Sequence, residues 1–370
     1  MKKVLIVATV GRFFDFLKND IKLLKELNYE VHCATNLHMG ENDSMEGFDV
    51  IKHQIDFQRS PFSKENLKAY KQICALLEEY DFDLIHCHTP VGGVMARLAS
   101  KKFRKSGLKV IYTAHGFHFF KGASIKNWLI FYPVEKLLSR YTDVLITINK
   151  EDYERASKKF SAKKTVYMPG VGVDTKKFDS DNFNKTKIRE SLGVDDNDCI
   201  LISVGELSTR KNHKAIINAL AKLPKDDLER IKYLIVGIGD LDEYLHNLCS
   251  ELKLDNVVFL GYRTDVAALY ACSDLFVFPS LQEGLPVALM EAMASGLPVI
   301  CSRIRGNVDL IEDNKGGFLV ESDDIDGFAE KISLMMNCGN NMGTVNKETM
   351  KDFDISVISD NMLEIYKNIN

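Results

Sequence analysis

Short apolar runs alternate along the chain with longer stretches whose apolar positions recur every three or four residues. In the first half, residues 4–9, 30–34, 84–87, 109–113, 144–148 and 165–168 read as strands. The stretches 15–27, 63–79, 92–105, 126–140 and 151–160 read as amphipathic helices. Continuous strands such as Val-Leu-Ile-Val at the N-terminus are expected where both sheet faces are covered. The pattern restarts near residue 200, with strands at 199–204, 233–236, 257–260, 275–278, 299–301 and 318–320. Helices are expected there at 211–223, 241–252, 266–272 and 286–295, and a last one at 355–369. Strand–helix alternation of this kind predicts two α/β domains, each a doubly wound parallel sheet. Each half opens on an apolar strand that ends in glycine, Gly11 and Gly205.

The join falls in residues 169–181, which carry Pro169, Gly170 and Gly172 before turning polar. The domains are accordingly 1–173 and 174–354, with 355–370 as a helix free to pack elsewhere. The Asn- and Gly-rich stretch 337–345 reads as a loop. Ligands of open α/β sheets bind outside the carboxyl ends of the strands, so an interdomain cleft lined by loops from both halves is the expected site.

Charge divides unevenly between the halves. Residues 1–175 carry 27 Lys and Arg against 20 Asp and Glu, a balance of +7, and the remainder carry 21 against 32, a balance of −11. The basic half is therefore expected to meet something anionic. The eight cysteines form no C-x-x-C pair, which is cytosolic usage and excludes a disulfide scaffold. The N-terminal apolar stretch of seven residues lacks a cleavage pattern and reads as a buried strand, not a signal peptide. No apolar run reaches the length of a membrane span.

Four segments carry candidate chemistry. The first, residues 279–298, follows a strand and holds Glu283-Gly284-Leu285-Pro286 and Glu291. Pro286 suits the first helical turn and Gly296 the stop, which places Gly284 and Leu285 where free N–H groups favour a phosphate. Glu291 is the only charge in an otherwise apolar helix, so it needs a partner, either a salt bridge or sugar hydroxyls. The second, Gly205-Glu206 through Arg210-Lys211-Asn212-His213, sets adjacent cations at a helix start, against the dipole, where a diphosphate would explain them. The third, His115-Gly116-Phe117-His118-Phe119-Phe120-Lys121, follows a strand and reads as a polar imidazole with exposed aromatics after it. The fourth, residues 83–90, puts His86 and His88 on one strand face at a spacing seen in some zinc sites, without a third ligand nearby. No metal is expected: the Asp81-Phe-Asp83 pair precedes its strand, away from the carboxyl end.

Glu283 and Glu291 with Gly284-Leu285-Pro286, the Arg210-Lys211-Asn212 loop, and His-Cys-His-Thr-Pro and Thr-Ala-His-Gly-Phe in the same order resemble the retaining nucleotide-sugar glycosyltransferases of family 4, in their bacterial capsule and exopolysaccharide branch. The resemblance covers nearly the whole chain and implies the GT-B architecture of two Rossmann-like domains. It implies a UDP-sugar donor, a polyprenyl-diphosphate-linked saccharide acceptor, and no cofactor, metal or nucleic acid. Lys211 and Arg210 would hold the donor diphosphate, Glu283 the sugar hydroxyls, Glu291 the ribose, and the Gly284, Leu285 and Pro286 segment the phosphate or sugar. His115 would approach the reaction centre and Gly11 would border donor and acceptor. On this resemblance His115, Glu283 and Lys211 are the catalytic candidates. Gly11, Glu206, Arg210, Arg263 and Glu291 join the donor set, and His88, His118 and Lys121 the acceptor side. Many family members carry Arg where this chain has Glu206. Arg210, Arg263 or Arg305 would replace it, or Glu206 contacts the sugar or acceptor.

The expected function is retaining transfer of a sugar, an N-acetylhexosamine by the branch resembled. A UDP-sugar epimerase, or a GT-B transferase or phosphorylase with a soluble acceptor, are the alternatives. The cations Arg97, Lys101, Lys102, Arg104, Lys105, Lys121 and Lys126, with Phe117, Phe119 and Phe120, suit docking on an anionic bilayer at the inner face of the cell membrane. The final helix would return to the N-terminal domain.

Overall fold

The computed structural model describes residues 1–39, 45–195, 197–337 and 341–369. The chain forms two compact units, Met1–Val171 with Ser356–Asn370, and Gly172–Ile355. In the first, seven parallel strands run in the order β3-β2-β1-β4-β5-β6-β7. They are β1 Lys2–Val10, β2 Tyr29–Asn36, β3 Ile51–Gln54, β4 Leu84–His88, β5 Lys109–Ala114, β6 Val144–Thr147 and β7 Lys164–Tyr167. Helices α1 Lys18–Glu26, α2 Asn66–Glu79, α3 Pro90–Ser100, α4 Ile125–Leu138 and α5 Lys150–Lys159 connect them. The edge strand β3 escapes the hydrophobic pattern because Ile-Lys-His-Gln has no apolar run and no residue that is fully buried.

The second unit holds six parallel strands in the order β10-β9-β8-β11-β12-β13. They are β8 Cys199–Val204, β9 Ile231–Val236, β10 Val257–Gly261, β11 Leu275–Phe278, β12 Val299–Ser302 and β13 Gly317–Val320. Its helices are α6 Lys185–Ser191, α7 His213–Leu220, α8 Lys225–Glu229, α9 Asp242–Leu252, α10 Val266–Cys272, α11 Val287–Ala294, α12 Asn307–Leu310, α13 Ile325–Asn337 and α14 Met342–Met350. The loop expected at 337–345 is corrected in part. Its residues 338–340 lie outside the described residues, and from Met342 the chain is helical, with buried Asn346 donating to the carbonyls of Leu297 and Gly316 at 2.7 Å each. Buried polar anchoring of that kind leaves no apolar period to read.

The last helix, α15 Ile355–Asn368, buries Ile358, Met362 and Tyr366 in the core of the first unit beside Phe14, Leu17 and Ile21. Among the described residues, no helix is long and apolar enough to cross a membrane.

Candidate functional site

A doubly wound sheet offers a ligand crevice where strand order reverses, outside the strand carboxyl ends. In the second unit that point lies between β8 and β11, and the loops leaving these two strands are residues 205–212 and 279–286. Two hydrogen bonds join them: Leu281 N–H donates to the Arg210 carbonyl at 2.8 Å, and the Asn212 side-chain Nδ2 donates to the Pro279 carbonyl at 3.1 Å. Asn212 takes φ +56° as the N-cap of α7, a left-handed conformation that Asn tolerates.

Glu283 is the centre of this junction. Its Oε1 accepts from Lys211 Nζ at 2.8 Å and from Arg210 Nη1 at 3.0 Å, while Arg305 Nε donates to its carbonyl at 3.1 Å. Lys211 is nearly enclosed and lies 4.5 Å from the Phe278 ring centroid. Burial lowers its pKa, and the Glu283 carboxylate opposes that shift. Gly306, at φ +84°, lets the backbone pass close to this loop: a Cβ there would stand 2.4 Å from the Gly284 carbonyl. Pro286 is the N-cap of α11, one position before the first helical turn expected of it, and Gly296 follows the helix end at φ +81°. Glu291 lies on α11 largely out of water. Burial pushes its carboxyl up to about 7, with Lys177 and a hydrogen bond from Tyr270 pulling the other way.

The three arginines that would replace a cation at Glu206 fare differently. Arg210 and Arg305 converge on Glu283. Arg263 is forked onto Asp265 at 2.8 and 2.6 Å. Glu206 itself is exposed.

In the first unit the reversal lies between β1 and β4. Gly11 is buried where β1 passes into a 3-10 turn, Gly11–Leu17. Phe13 on that turn meets the His115 ring edge-on at 4.9 Å and lies 6.0 Å from His88. His88 Nδ1 and His115 Nε2 share a hydrogen bond of 3.2 Å. The His86 ring lies against His88, tilted by 40°, with centroids 4.1 Å apart. Burial depresses all three imidazoles, His86 to about 3 and His115 to about 4, so they are neutral at physiological pH. Two residues of this cluster, Tyr366 and Asp20, carried no sequence signal. The Tyr366 hydroxyl donates to Asp20 at 2.7 Å and stands 2.8 Å from His86 Nδ1, which must then be the donor of that pair. Thr113 Oγ1 meets His86 Nε2 at 2.8 Å and completes the chain. Burial raises Asp20 to about 6, against the Tyr366 hydrogen bond. Thr89, given no role of its own within the His-Cys-His-Thr-Pro string, takes φ +61° with ψ 153°, a strained conformation for a β-branched residue, and its hydroxyl pairs with Thr9 at 2.6 Å.

Two expectations are corrected. Phe117 and Phe119 are buried, stacked on each other at 4.7 Å, and do not form an exposed aromatic patch. Arg97 is fully buried, paired with Glu135 at 2.9 Å and lying 3.8 Å over the Tyr112 ring, so it leaves the basic surface. His118 turns onto Phe131 at 4.6 Å, and Lys121 is exposed with its backbone N–H held by Glu151. Among the described residues no group of three or more His, Cys, Asp or Glu could hold a metal ion.

This arrangement of cations and carboxylates at a switch point suits an anionic leaving group. Residues 184–352 match the family model for glycosyl transferases group 1, and residues 3–149 match a glycosyl transferase 4-like model. The chain belongs to the group 1 glycosyltransferases. EpsD of Bacillus subtilis (strain 168) is 37% identical to it over 99% of this chain and 96% of its own. The Escherichia coli UDP-Gal:alpha-D-GlcNAc-diphosphoundecaprenol alpha-1,3-galactosyltransferase is 33% identical over 72% of this chain and 70% of its own. The structure of Anabaena Alr3699/HepE with UDP and glucose matches with a TM-score of 0.80 at 21% identity, covering 100% of both chains. The fold of this glycosyltransferase is GT-B.

Proposed function

We propose that this glycosyltransferase moves a hexose or N-acetylhexosamine from a UDP-sugar to a lipid-linked saccharide in capsule or exopolysaccharide synthesis. Anomeric configuration is retained and no metal is used. The observation that carries the reading is the Lys211, Arg210 and Glu283 cluster at the β8–β11 switch point, with Glu291 on the adjoining helix.

In the free enzyme Glu283 balances two cations. A donor diphosphate is the stronger anion and takes over Lys211 and Arg210, which frees the Glu283 carboxylate to accept from sugar hydroxyls. As the glycosidic bond breaks, negative charge grows on the leaving diphosphate. Lys211, Arg210 and the amides ahead of α11 stabilise it there, and fixed electrostatics of this kind is usually the largest catalytic contribution. Glu291 accepts from ribose hydroxyls. Neutral His115 offers a hydrogen bond, not a charge, to the donor sugar. Asp20 borders His88 and His115, but its carboxylate is taken by Tyr366. That favours a front-face reaction, in which the departing phosphate accepts the acceptor proton, over a covalent intermediate.

The acceptor class follows from the undecaprenol-linked diphosphate in the E. coli relative's name. Working on such an acceptor puts the protein at the inner face of the cell membrane, with the exposed side chains of Lys101, Lys105, Lys121 and Lys126 available to anionic lipid.

The test is transfer from a panel of UDP-sugars to an undecaprenyl-diphosphate-linked saccharide, with donors first ranked by thermal shift. Glu283→Ala is expected to lower turnover at least about 100-fold, the scale of a misplaced substrate, because the donor sugar loses the acceptor that orients it. Near-normal turnover overturns the assignment. Epimerised UDP-sugar without acceptor, or equal transfer to a soluble saccharide, replaces it with one of the alternative reactions.

A further inference from the structure

Beside the segments that follow β4 and β5, the first unit contains an apolar slot of about 200 Å³. Its walls include Phe62, Val94, Met95, Phe117, Ile130 and Val134. The charge that reaches it, Glu135, is neutralised from behind by Arg97 at 2.9 Å and accepts from the Tyr112 hydroxyl at 3.3 Å. The slot therefore presents hydrocarbon and aromatic surface.

Its mouth is unusual for a protein facing water. Phe62, 71% exposed, and the half-exposed Ile130 and Val134 line it, and elsewhere on α4 Ile125 and Leu129 are 77% and 72% exposed, with Leu137 also open. A helix that packs one face normally hides such residues, and a continuous apolar strip at a cavity mouth marks a binding surface. Of the cations in residues 84–134, Arg97, Lys102 and Arg104 are paired with Glu135, Glu78 and Asp143, which leaves Lys121 and Lys126 as the exposed charges on the approach to α4. Lys126 stands exposed in the first turn of α4, one turn before Ile130, and Lys121 is exposed in the turn that leads into the helix. An apolar slot with cations at its approach matches an amphiphile with a long hydrocarbon chain and an anionic head. The slot also adjoins the acceptor-side loop, since Gly116, Phe117 and His118 line it while His115 meets His88.

We propose that this slot holds the isoprenoid chain of the acceptor's lipid carrier next to its diphosphate, with Lys121 and Lys126 facing the phosphates. The inference rests on the lipid-linked acceptor proposed above and deepens it. Anchoring the chain here sets the saccharide at a fixed distance from the lipid and selects isoprenoid over ordinary acyl lipid.

The test measures binding of the full chain to three vesicle types: phosphatidylcholine alone, the same with a small fraction of undecaprenyl phosphate, and the same with phosphatidylglycerol at matched charge. The expected result is at least about tenfold tighter binding to the undecaprenyl phosphate vesicles than to the phosphatidylglycerol ones. Val94→Trp, which fills the slot, and Val134→Glu, which charges its half-exposed mouth, should each abolish that preference. Both variants should keep the weaker charge-driven binding and the thermal shift with UDP, which reports a folded second unit. Equal binding to the two anionic vesicles, or a preference that survives both variants, overturns the slot assignment. Transfer to lipid-linked acceptor, assayed separately, decides whether the acceptor reading stands when the slot does not.

Discussion

Glu291 and Lys211 show why residue identity alone does not state a charge. A carboxyl on an apolar helix face loses hydration, and burial lifts Glu291 to about 7. At pH 6 it is mostly protonated, and at pH 8 it is an acceptor for two ribose hydroxyls. UDP affinity is therefore expected to rise with pH through about 7. Glu291→Gln should remove that rise while leaving any slope due to the nucleotide itself. Isothermal titration of both proteins from pH 6 to 8 checks it, and parallel curves would refute the ribose role. The Arg-Lys pair and the Glu-Gly-Leu-Pro segment were legible as anion chemistry because they are local strings at the start of helices. Their meeting on one carboxylate oxygen was not, since Arg210 and Glu283 lie 73 positions apart.

At the scale of elements, α3 and α4 are held by one buried ion pair. Arg97 also donates to the Gly93 carbonyl at 2.8 Å and stacks on Tyr112, so its charge is balanced as long as Glu135 remains. Removing one partner of such a pair leaves a buried charge, at a cost of about 3–5 kcal/mol, while replacing both with apolar groups is often neutral. Glu135→Leu should therefore destabilise the first unit strongly in urea titration, and Arg97→Met/Glu135→Leu should recover most of the loss. Equal stability of the single and double variants would show that the pair is dispensable. The basic stretch around Arg97 looked like one surface in the sequence because helical spacing does not reveal which turn faces the sheet. Elements with apolar runs, such as β8, α10 and β11, follow their sequence patterns residue for residue. Exposed or polar ones, β3 and α6, do not, because they pack too little hydrocarbon to leave a period.

Over the whole molecule, buried titratable groups pull stability in opposite directions with pH. His86, His115 and His213 sit at about 3, 4 and 4, below the ordinary value near 6.5. The unfolded chain binds protons that the folded one refuses, so these groups make stability fall as pH drops from about 6.5 toward 4. Asp20 and Glu291, raised to about 6 and 7, act oppositely, because the folded state holds their protons and stability gains as pH falls through that range. Three displaced histidines, joined by His88, outweigh two carboxyls. Calorimetric melting temperature is expected to decline below pH 6.5 and to be highest near neutrality. A melting temperature that rises on acidification to pH 5 would contradict this balance.

The division of labour follows from distance along the chain. Strand–helix alternation, the restart of the pattern near residue 200 and the anion-binding loops are written in neighbouring residues, because hydrophobic period and turn chemistry act over a few positions. Placement of Tyr366 on His86, 280 positions away, the left-handed strain at Thr89 and the slot beneath Phe62 came from packing alone. So did every displaced pKa. Burial is a property of what the rest of the chain places around a group, and no local string of residues contains it.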